Sequence, residues 1–135
     1  MKIVLIGIMF IFMSGCVSRS INKVSGIITN TEICVVRNHS VSLDFFNAYS
    51  NTLENNGYVT REVEHPNECP VYTTYTAQFG NHWGLYLARA SFIIYKDGVP
   101  VGSATYKAPR FDITKHGRIE AKIQTLVNKM FENNR

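Results

Sequence analysis

Residues Leu85–Lys107 read LYLARASFIIYKDGVPVGSATYK, and this stretch decides the fold. Its centre, Asp97-Gly98, is the strongest signal for a tight β-hairpin turn in the chain. The residues from Leu85 to Tyr95 are rich in β-branched and aromatic side chains, so we expect a long strand there. Val99 to Lys107 should return antiparallel, with Pro100 at the start of a strand or on an edge.

Further strands are expected upstream of this hairpin. Val71 to Phe79 alternates Thr and Tyr with other residues, and the stretch Gly80 to Gly84 then breaks the pattern. Tyr58 to Glu64 predicts a half-buried strand, because Val59 and Val63 alternate with polar residues. A short apolar run, Ile33 to Val36, predicts a buried strand.

Two helices complete the predicted elements. Ser42 is placed to cap a helix whose apolar residues recur at helical spacing, and Gly57 comes next, where a left-handed C-cap is expected. The second helix should run from about Thr114 to Phe131. Two amphipathic helices need a surface to cover, so we predict an α+β fold of two layers: a mostly antiparallel sheet with both helices packed on one face. The expected order is strand, helix, four strands and helix, or β-α-β-β-β-α if the break at Gly84 is counted inside one arm of the meander.

The N-terminus carries a different signal. Lys2 precedes Ile3–Met13, an apolar run interrupted only by Gly7 and too short to cross a bilayer. The tetrapeptide that ends it, Met13-Ser14-Gly15-Cys16, resembles the lipobox of bacterial lipoproteins. That resemblance implies cleavage after Gly15 and fatty acylation of Cys16; an ordinary cleaved signal or a disordered apolar terminus, with Cys16 incidental, is the alternative. Val17 in place of Asp implies an outer-membrane location, facing the periplasm, if the source is Gram-negative.

Length and composition limit the mature protein to one domain. Of 135 residues, segment 1–15 is expected to be the signal peptide, 16–31 the acylated cysteine and a polar tether, and 32–135 a single periplasmic domain. Loss of Lys2 lowers the net charge from +4 to +3, spread along the chain. We therefore expect no nucleic-acid partner, and membrane attachment through the lipid alone.

Cys34 and Cys69 are the two cysteines that remain after the anchor. An even pair in a small domain of an oxidising compartment favours a disulfide. Two separate thiols, with Cys34 buried in a strand, remain the alternative.

The mature chain resembles a family of small, uncharacterised Gram-negative lipoproteins over nearly its whole length. The residues that carry the resemblance include Ile33-Cys34-Val35-Val36, Gly57-Tyr58, Cys69-Pro70, Tyr75-Thr76-Ala77, Trp83 with Tyr86-Leu87, and Asp97-Gly98. In that family an Asp usually comes after the Trp, whereas here Gly84 does. The resemblance implies an anchored periplasmic domain and brings no known activity.

Catalytic and metal-binding patterns are weak. The four histidines, His39, His65, His82 and His116, do not share metal-ligand spacing, and no carboxylate pair stands out. We therefore expect no enzyme activity, no metal and no cofactor beyond the covalent lipid. A cell-wall-acting hydrolase, or an accessory lipoprotein of a secretion or prophage system, is the alternative.

An aromatic segment rises above this background. Tyr72, Trp83, Tyr86 and Arg89 are candidate interface residues, because aromatic and Arg side chains anchor many protein interfaces. In the competing interpretation, strand alternation places Tyr75, Phe79 and Trp83 in the core beneath the helices. On the first interpretation the domain is a non-catalytic binding or adaptor module of the cell envelope, with an envelope protein or peptidoglycan as its partner.

Overall fold

The computed structural model describes residues 18–81, 84–108, 118–132 and 134. The predictions for the signal peptide, Cys16, Trp83, His82 and His116 lie outside these residues. The elements, in chain order, are β1 (Ser18–Asn22), β2 (Glu32–Val36), α1 (Leu43–Asn55), β3 (Val59–Val63), a short 3-10 helix (Pro66–Glu68), β4 (Val71–Asn81), β5 (Leu85–Lys96), β6 (Val99–Lys107) and α2 (Ile119–Met130).

Six strands form one mixed sheet in the order β1-β6-β5-β4-β2-β3, and two helices accompany it. Three neighbouring pairs are antiparallel, and β2 runs parallel to both β3 and β4. The α+β prediction is confirmed. The condensed order β-α-β-β-β-α is wrong, because β4 and β5 are separate arms that pair antiparallel from Val71 and Lys96 to Asn81 and Leu85.

The prediction that residues 16–31 form a tether is also wrong for the described residues 18–31. Ser18–Asn22 pair antiparallel with Ser103–Lys107 and add a sixth strand to the sheet. Beyond β1, Val24 and Ile27 are 5% and 4% exposed, and the backbone N–H of Val24 donates to the carbonyl of Met130 at 2.8 Å. These contacts make the segment part of the domain, since burial of apolar side chains offsets the cost of ordering it.

Local sequence explains how the first helix is bounded. The Ser42 hydroxyl accepts a hydrogen bond from the backbone N–H of Phe45 at 3.3 Å, as the predicted N-cap requires. Gly57 lies just past the C-cap Asn56 with φ +96°, a conformation that favours glycine.

Both helices cover the same face of the sheet. Phe45, Phe46 and Tyr49 of α1 are buried against Tyr75 and Phe92, which point from β4 and β5 toward the helices. The α2 side chains that join this core are Ile123, Leu126, Val127 and Met130. The predicted start of α2 at Thr114 lies outside the described residues, and the helix ends one residue earlier than predicted.

The hairpin that decides the fold has the predicted turn. Asp97 and Gly98 have φ of +51° and +79°, the pair of left-handed residues that a type I′ turn requires. At the other end of β5, Gln78 pairs with Arg89 and Phe79 with Leu87, so Ala88 is an extra residue that forms a bulge.

The sheet therefore has two distinct ends. The end where β1 begins, β6 finishes and the β4–β5 connection lies is called the upper end; α1 and α2 also begin there. The end that carries the Asp97–Gly98 turn is the lower end. No helix among the described residues is long and apolar enough to cross a membrane.

Candidate functional site

Neither helix of the described residues covers one face of the sheet, and we call it the open face. Side chains alternate between the two faces along each strand. Because Tyr75, Phe92 and Ala104 point to the helices and are buried, the residues next to them in each strand point to the open face. The open-face residues of the three long strands include Tyr72, Thr74, Thr76, Gln78, Arg89, Ser91, Ile93, Tyr95, Ser103, Thr105 and Lys107.

Tyr72 and Tyr95 form an aromatic pair in the lower half of this face. They are cross-strand partners, with ring centroids 4.8 Å apart and ring planes within 15° of parallel. Cys34 is the partner of Tyr72 on β2, so the aromatic pair lies beside the Cys34–Cys69 disulfide. Both tyrosines are half-buried.

Arg89 and Tyr86 lie toward the upper end of the open face. Arg89 is exposed and lines a depression of about 260 Å³ with Thr76, Gln78 and Thr105. The Tyr86 ring lies so close to Gly80 that a Cβ atom at that glycine would be 2.4 Å from Tyr86 Cζ.

The three predicted interface residues that the structure describes, Tyr72, Tyr86 and Arg89, therefore do not form one cluster. Arg89 and Tyr95 are six residues apart on β5, which corresponds to roughly 20 Å along a strand. Tyr72, the cross-strand partner of Tyr95, is accordingly separated from Tyr86 and Arg89. Trp83 lies outside the described residues. The competing interpretation holds for Tyr75, which is 2% exposed, and less well for Phe79, which is 37% exposed.

A second concave feature opens at the upper end, between the helices and the β4–β5 pair. Its volume is about 560 Å³, and its apolar lining includes Phe45, Phe79, Leu85 and Ile119. Its polar lining residues are Ser42, Asp44, Arg118 and Glu120. A mostly apolar cleft with a few polar groups is the usual form of a ligand site.

Asp44 and Glu120 are brought to this cleft from different helices. Both occupy the first turn of their helix, and Glu120 lies 3.7 Å from the guanidinium of Arg118. Sequence reasoning finds no carboxylate pair here, because Asp44 and Glu120 lie on different helices far apart in the chain. Only the packing of α1 beside α2 brings the two helix starts to one cleft.

The disulfide predicted between Cys34 and Cys69 is present, with Cα atoms 6.2 Å apart. Glu32 lies beside it, and Arg61 donates to a Glu32 carboxylate oxygen at 3.1 Å and to Cys69 Sγ at 3.1 Å. Together, Glu32, Cys34 and Cys69 bring three potential metal-ligand atoms within 4.8 Å of one another. The two sulfurs form the disulfide bond, so neither is available as the thiolate that a metal ion would need.

Polar contacts at the end of β2 fix the sheet beneath α1. Arg37 Nη1 donates to the Tyr75 hydroxyl at 3.0 Å, and the Asn38 backbone N–H donates to the same oxygen at 3.1 Å. Nearby, His39 Nε2 lies 2.8 Å from a carboxylate oxygen of Glu64. This hydrogen bond holds the pKa of Glu64 below its ordinary value of 4.5.

The Tyr49 hydroxyl is fully buried and shares a hydrogen bond with the hydroxyl of Thr73, which also donates to the carbonyl of Ile93 at 2.8 Å. Burial raises the pKa of Tyr49 above its ordinary value of 10.0, because ionisation would leave a charge in the apolar core. Its full burial and its hydrogen bond to Thr73 make Tyr49 a structural residue of the core.

Comparison with known proteins adds no assignment. No protein-family model matches the chain, and a search of curated proteins finds no similar sequence.

Proposed function

We propose that this protein is a lipid-anchored lipoprotein of the outer membrane, and that its periplasmic domain is a non-catalytic binding or adaptor module of the cell envelope. The observation that carries the proposal is the tetrapeptide Met13-Ser14-Gly15-Cys16 at the end of the apolar run Ile3–Met13. The proposed family of small Gram-negative lipoproteins has the same organisation.

The Cys34–Cys69 disulfide supports the compartment. Disulfides persist in the periplasm and are rare in the reducing cytosol. Cys34 is fully buried, and its bond to Cys69 ties strand β2, which lies between β3 and β4, to the segment just before β4. A bridge in this position is structural, which fits a domain exported before it folds.

The open face supports a binding role. One side of an antiparallel sheet that faces only water is usually polar, and the Ser and Thr residues of this face obey that rule. The Tyr72–Tyr95 pair and Ile93 depart from it, since they place aromatic and apolar surface on the uncovered side. Aromatic side chains bury a large area at low entropic cost, so this lower half is the proposed contact surface for an envelope protein or peptidoglycan.

Acylation is the first test. Mass spectrometry of the mature protein should find residue 16 as the N-terminus with a diacylglyceryl group on its sulfur and an acyl chain on its amine. The Cys16→Ser variant should lose these masses and leave the membrane fraction, and density separation of membranes should place the natural protein with outer-membrane markers. An unmodified Cys16, or an uncleaved signal, would overturn the anchor.

The contact surface is tested by site-specific photocrosslinking in intact cells. A crosslinking residue at Thr74, on the open face, should give a discrete product with an envelope protein or with peptidoglycan. The control places the same residue at Asn47, which is exposed on α1, on the opposite side of the molecule. Equal products from both positions, or none from Thr74, would overturn the adaptor role.

The cleft that Asp44 and Glu120 share gives the hydrolase alternative its one structural support. Two carboxylates in a cleft are the usual apparatus of glycoside hydrolysis. Release of soluble fragments from peptidoglycan by the purified protein, abolished in Glu120→Gln, would favour that alternative over an adaptor.

A further inference from the structure

We propose that the upper end of the domain docks directly onto the phosphate surface of the bilayer, an inference that rests on the proposed lipid anchor. Strand β1 begins at Ser18, two residues after Cys16. Two residues of extended chain span about 7 Å at most. An acylated Cys16 would therefore hold the upper end within a few ångströms of the lipid headgroups.

Three large apolar side chains are exposed at this end, and three others, Ile28, Val59 and Val99, are exposed elsewhere on the described residues. Leu85 is 66% exposed at the start of β5, Leu43 is 55% exposed at the start of α1, and Phe79 is 37% exposed near the end of β4. Phe79 and Leu85 also line the upper cleft. Side chains of this kind transfer favourably from water to the boundary between headgroups and acyl chains.

Cationic side chains accompany them. Arg89 and Lys107 are direct cross-strand partners, and Lys107 is in turn the partner of Ser18. Like charges in directly opposed positions destabilise a sheet. Neither side chain has an ion-pair partner among the residues that the structure describes. Arg19, exposed on β1, is a third cation at this end, but it pairs with Tyr106 and so lies on the helix side of the sheet.

Lipid phosphates are the groups that these cations fit. A membrane with anionic headgroups attracts Lys and Arg side chains within a Debye length of its surface. Among the described residues, the carboxylates at this end, Asp44 and Glu120, lie on the helix layer, and Arg118 partly neutralises Glu120. The described open-face residues at this end therefore carry net positive charge, and the exposed apolar side chains lie on the helix side of the same end.

Docking in this orientation sets the strands roughly along the bilayer normal. The Tyr72–Tyr95 pair then lies roughly 20 Å farther from the membrane than Arg89, measured along β5. The two halves of the open face would thus have different occupants: lipid phosphate above, and the envelope partner below.

The test uses the acylated protein in vesicles that contain anionic phospholipids with brominated acyl chains. Leu85→Trp and Val99→Trp are compared in a Trp83→Phe background, so each protein has one tryptophan. The two positions are well matched, because Val99 is 60% exposed and lies beside the turn at the lower end. We expect severalfold stronger quenching by brominated lipid at position 85 than at position 99.

Equal quenching at the two positions, or no quenching at position 85, would overturn the docking. Protection of position 85 from both brominated lipid and a water-soluble quencher would also overturn it, because a protein would then cover this end. Acylation is verified by mass spectrometry beforehand. A protein that is acylated but not quenched refutes the docking and leaves the anchor standing, whereas a missing acyl mass refutes the anchor itself.

The charges are tested separately. Arg89→Gln and Lys107→Gln should each reduce the docked population relative to the free one by about fivefold on anionic vesicles. Ser91→Ala, on the same face, is the control and should leave the quenching unchanged. Quenching insensitive to both charge substitutions would refute a role for lipid phosphate.

Discussion

Removing the disulfide through the paired substitutions Cys34→Ala and Cys69→Ala should lower the free energy of unfolding by about 4 kcal/mol. The bridge closes a loop with a sequence separation of 35 residues. The chain-entropy relation gives a stabilisation of about 4 kcal/mol for a loop of that length. Ala fills most of the space of a buried Cys, so the lost cross-link dominates the change.

Urea unfolding followed by far-UV circular dichroism measures this change, with Cys16→Ser in every protein so that only the bridge sulfurs differ. At the entropy of unfolding typical for a domain of this size, 4 kcal/mol corresponds to a lowering of Tm by about 15 °C. On the chain-entropy relation the whole effect lies in the unfolded chain, which the bridge makes more compact.

Dithiothreitol provides the internal control. It should destabilise the protein that retains Cys34 and Cys69 by a similar amount and leave the paired variant unaffected. A loss below about 1 kcal/mol, or equal sensitivity of both proteins to the reductant, would refute the entropic reasoning.

Single contacts elsewhere in the domain give three more expected outcomes. Gly102→Ala would put a Cβ atom 2.8 Å from Val24 Cα, so it should lower the free energy of unfolding by about 1–3 kcal/mol in a urea titration. An unchanged free energy of unfolding would show that the segment after β1 does not pack on the sheet. Tyr49→Phe should make stability less dependent on pH above 10. Because burial raises the folded-state pKa, the stability from Tyr49 is fully present below the unfolded pKa and is lost as pH rises from there toward the folded pKa; unfolding curves that shift equally for both proteins would contradict this. Glu64→Gln should flatten the loss of stability on acidification, since the hydrogen bond to His39 lowers the carboxyl pKa and its contribution is lost as pH falls below the ordinary value of 4.5; thermal unfolding between pH 3 and 7 checks it.

The long strands and both helices were predictable because their signals are local. The turn at Asp97-Gly98 requires two left-handed residues, and Ser42 and Gly57 bound α1 through their own backbone chemistry. None of these features depends on where a distant segment packs. The disulfide was predictable for a different reason, since an even cysteine count in a small domain of the proposed oxidising compartment favours it.

Strand β1 could not be recognised from its sequence, because an edge strand needs few apolar residues when helices cover only one face of the sheet. Its sequence, SRSIN, has one apolar residue, Ile21, and its pairing partner lies more than 80 positions away. The burial of Val24 and Ile27 likewise depends on α2 and the far end of the chain. Such contacts are decided by tertiary packing, which a local pattern does not encode.

The candidate site was only partly predictable. Alternation correctly suggested that Tyr75 points to the core, whereas the bulge at Ala88 changes the phase of β5 and could not be read from the residues. The separation of Tyr72 from Arg89 results from the antiparallel return of β5. Tyr72 lies far from the connection between β4 and β5, whereas Arg89 lies close to it, so the two residues are at opposite ends of this strand pair.

The position of β1 has a mechanical consequence. This strand joins the sheet only through β6, along the register from Ser18–Lys107 to Asn22–Ser103. Its hydrogen bonds lie perpendicular to the strand axis, so tension applied at the N-terminus along that axis loads all of them in shear, whereas a sideways pull peels them apart one after another. In the protein anchored and bound as proposed, tension between the bilayer and the partner would therefore act first on this five-residue strand, and its direction would decide whether the strand resists or separates from β6.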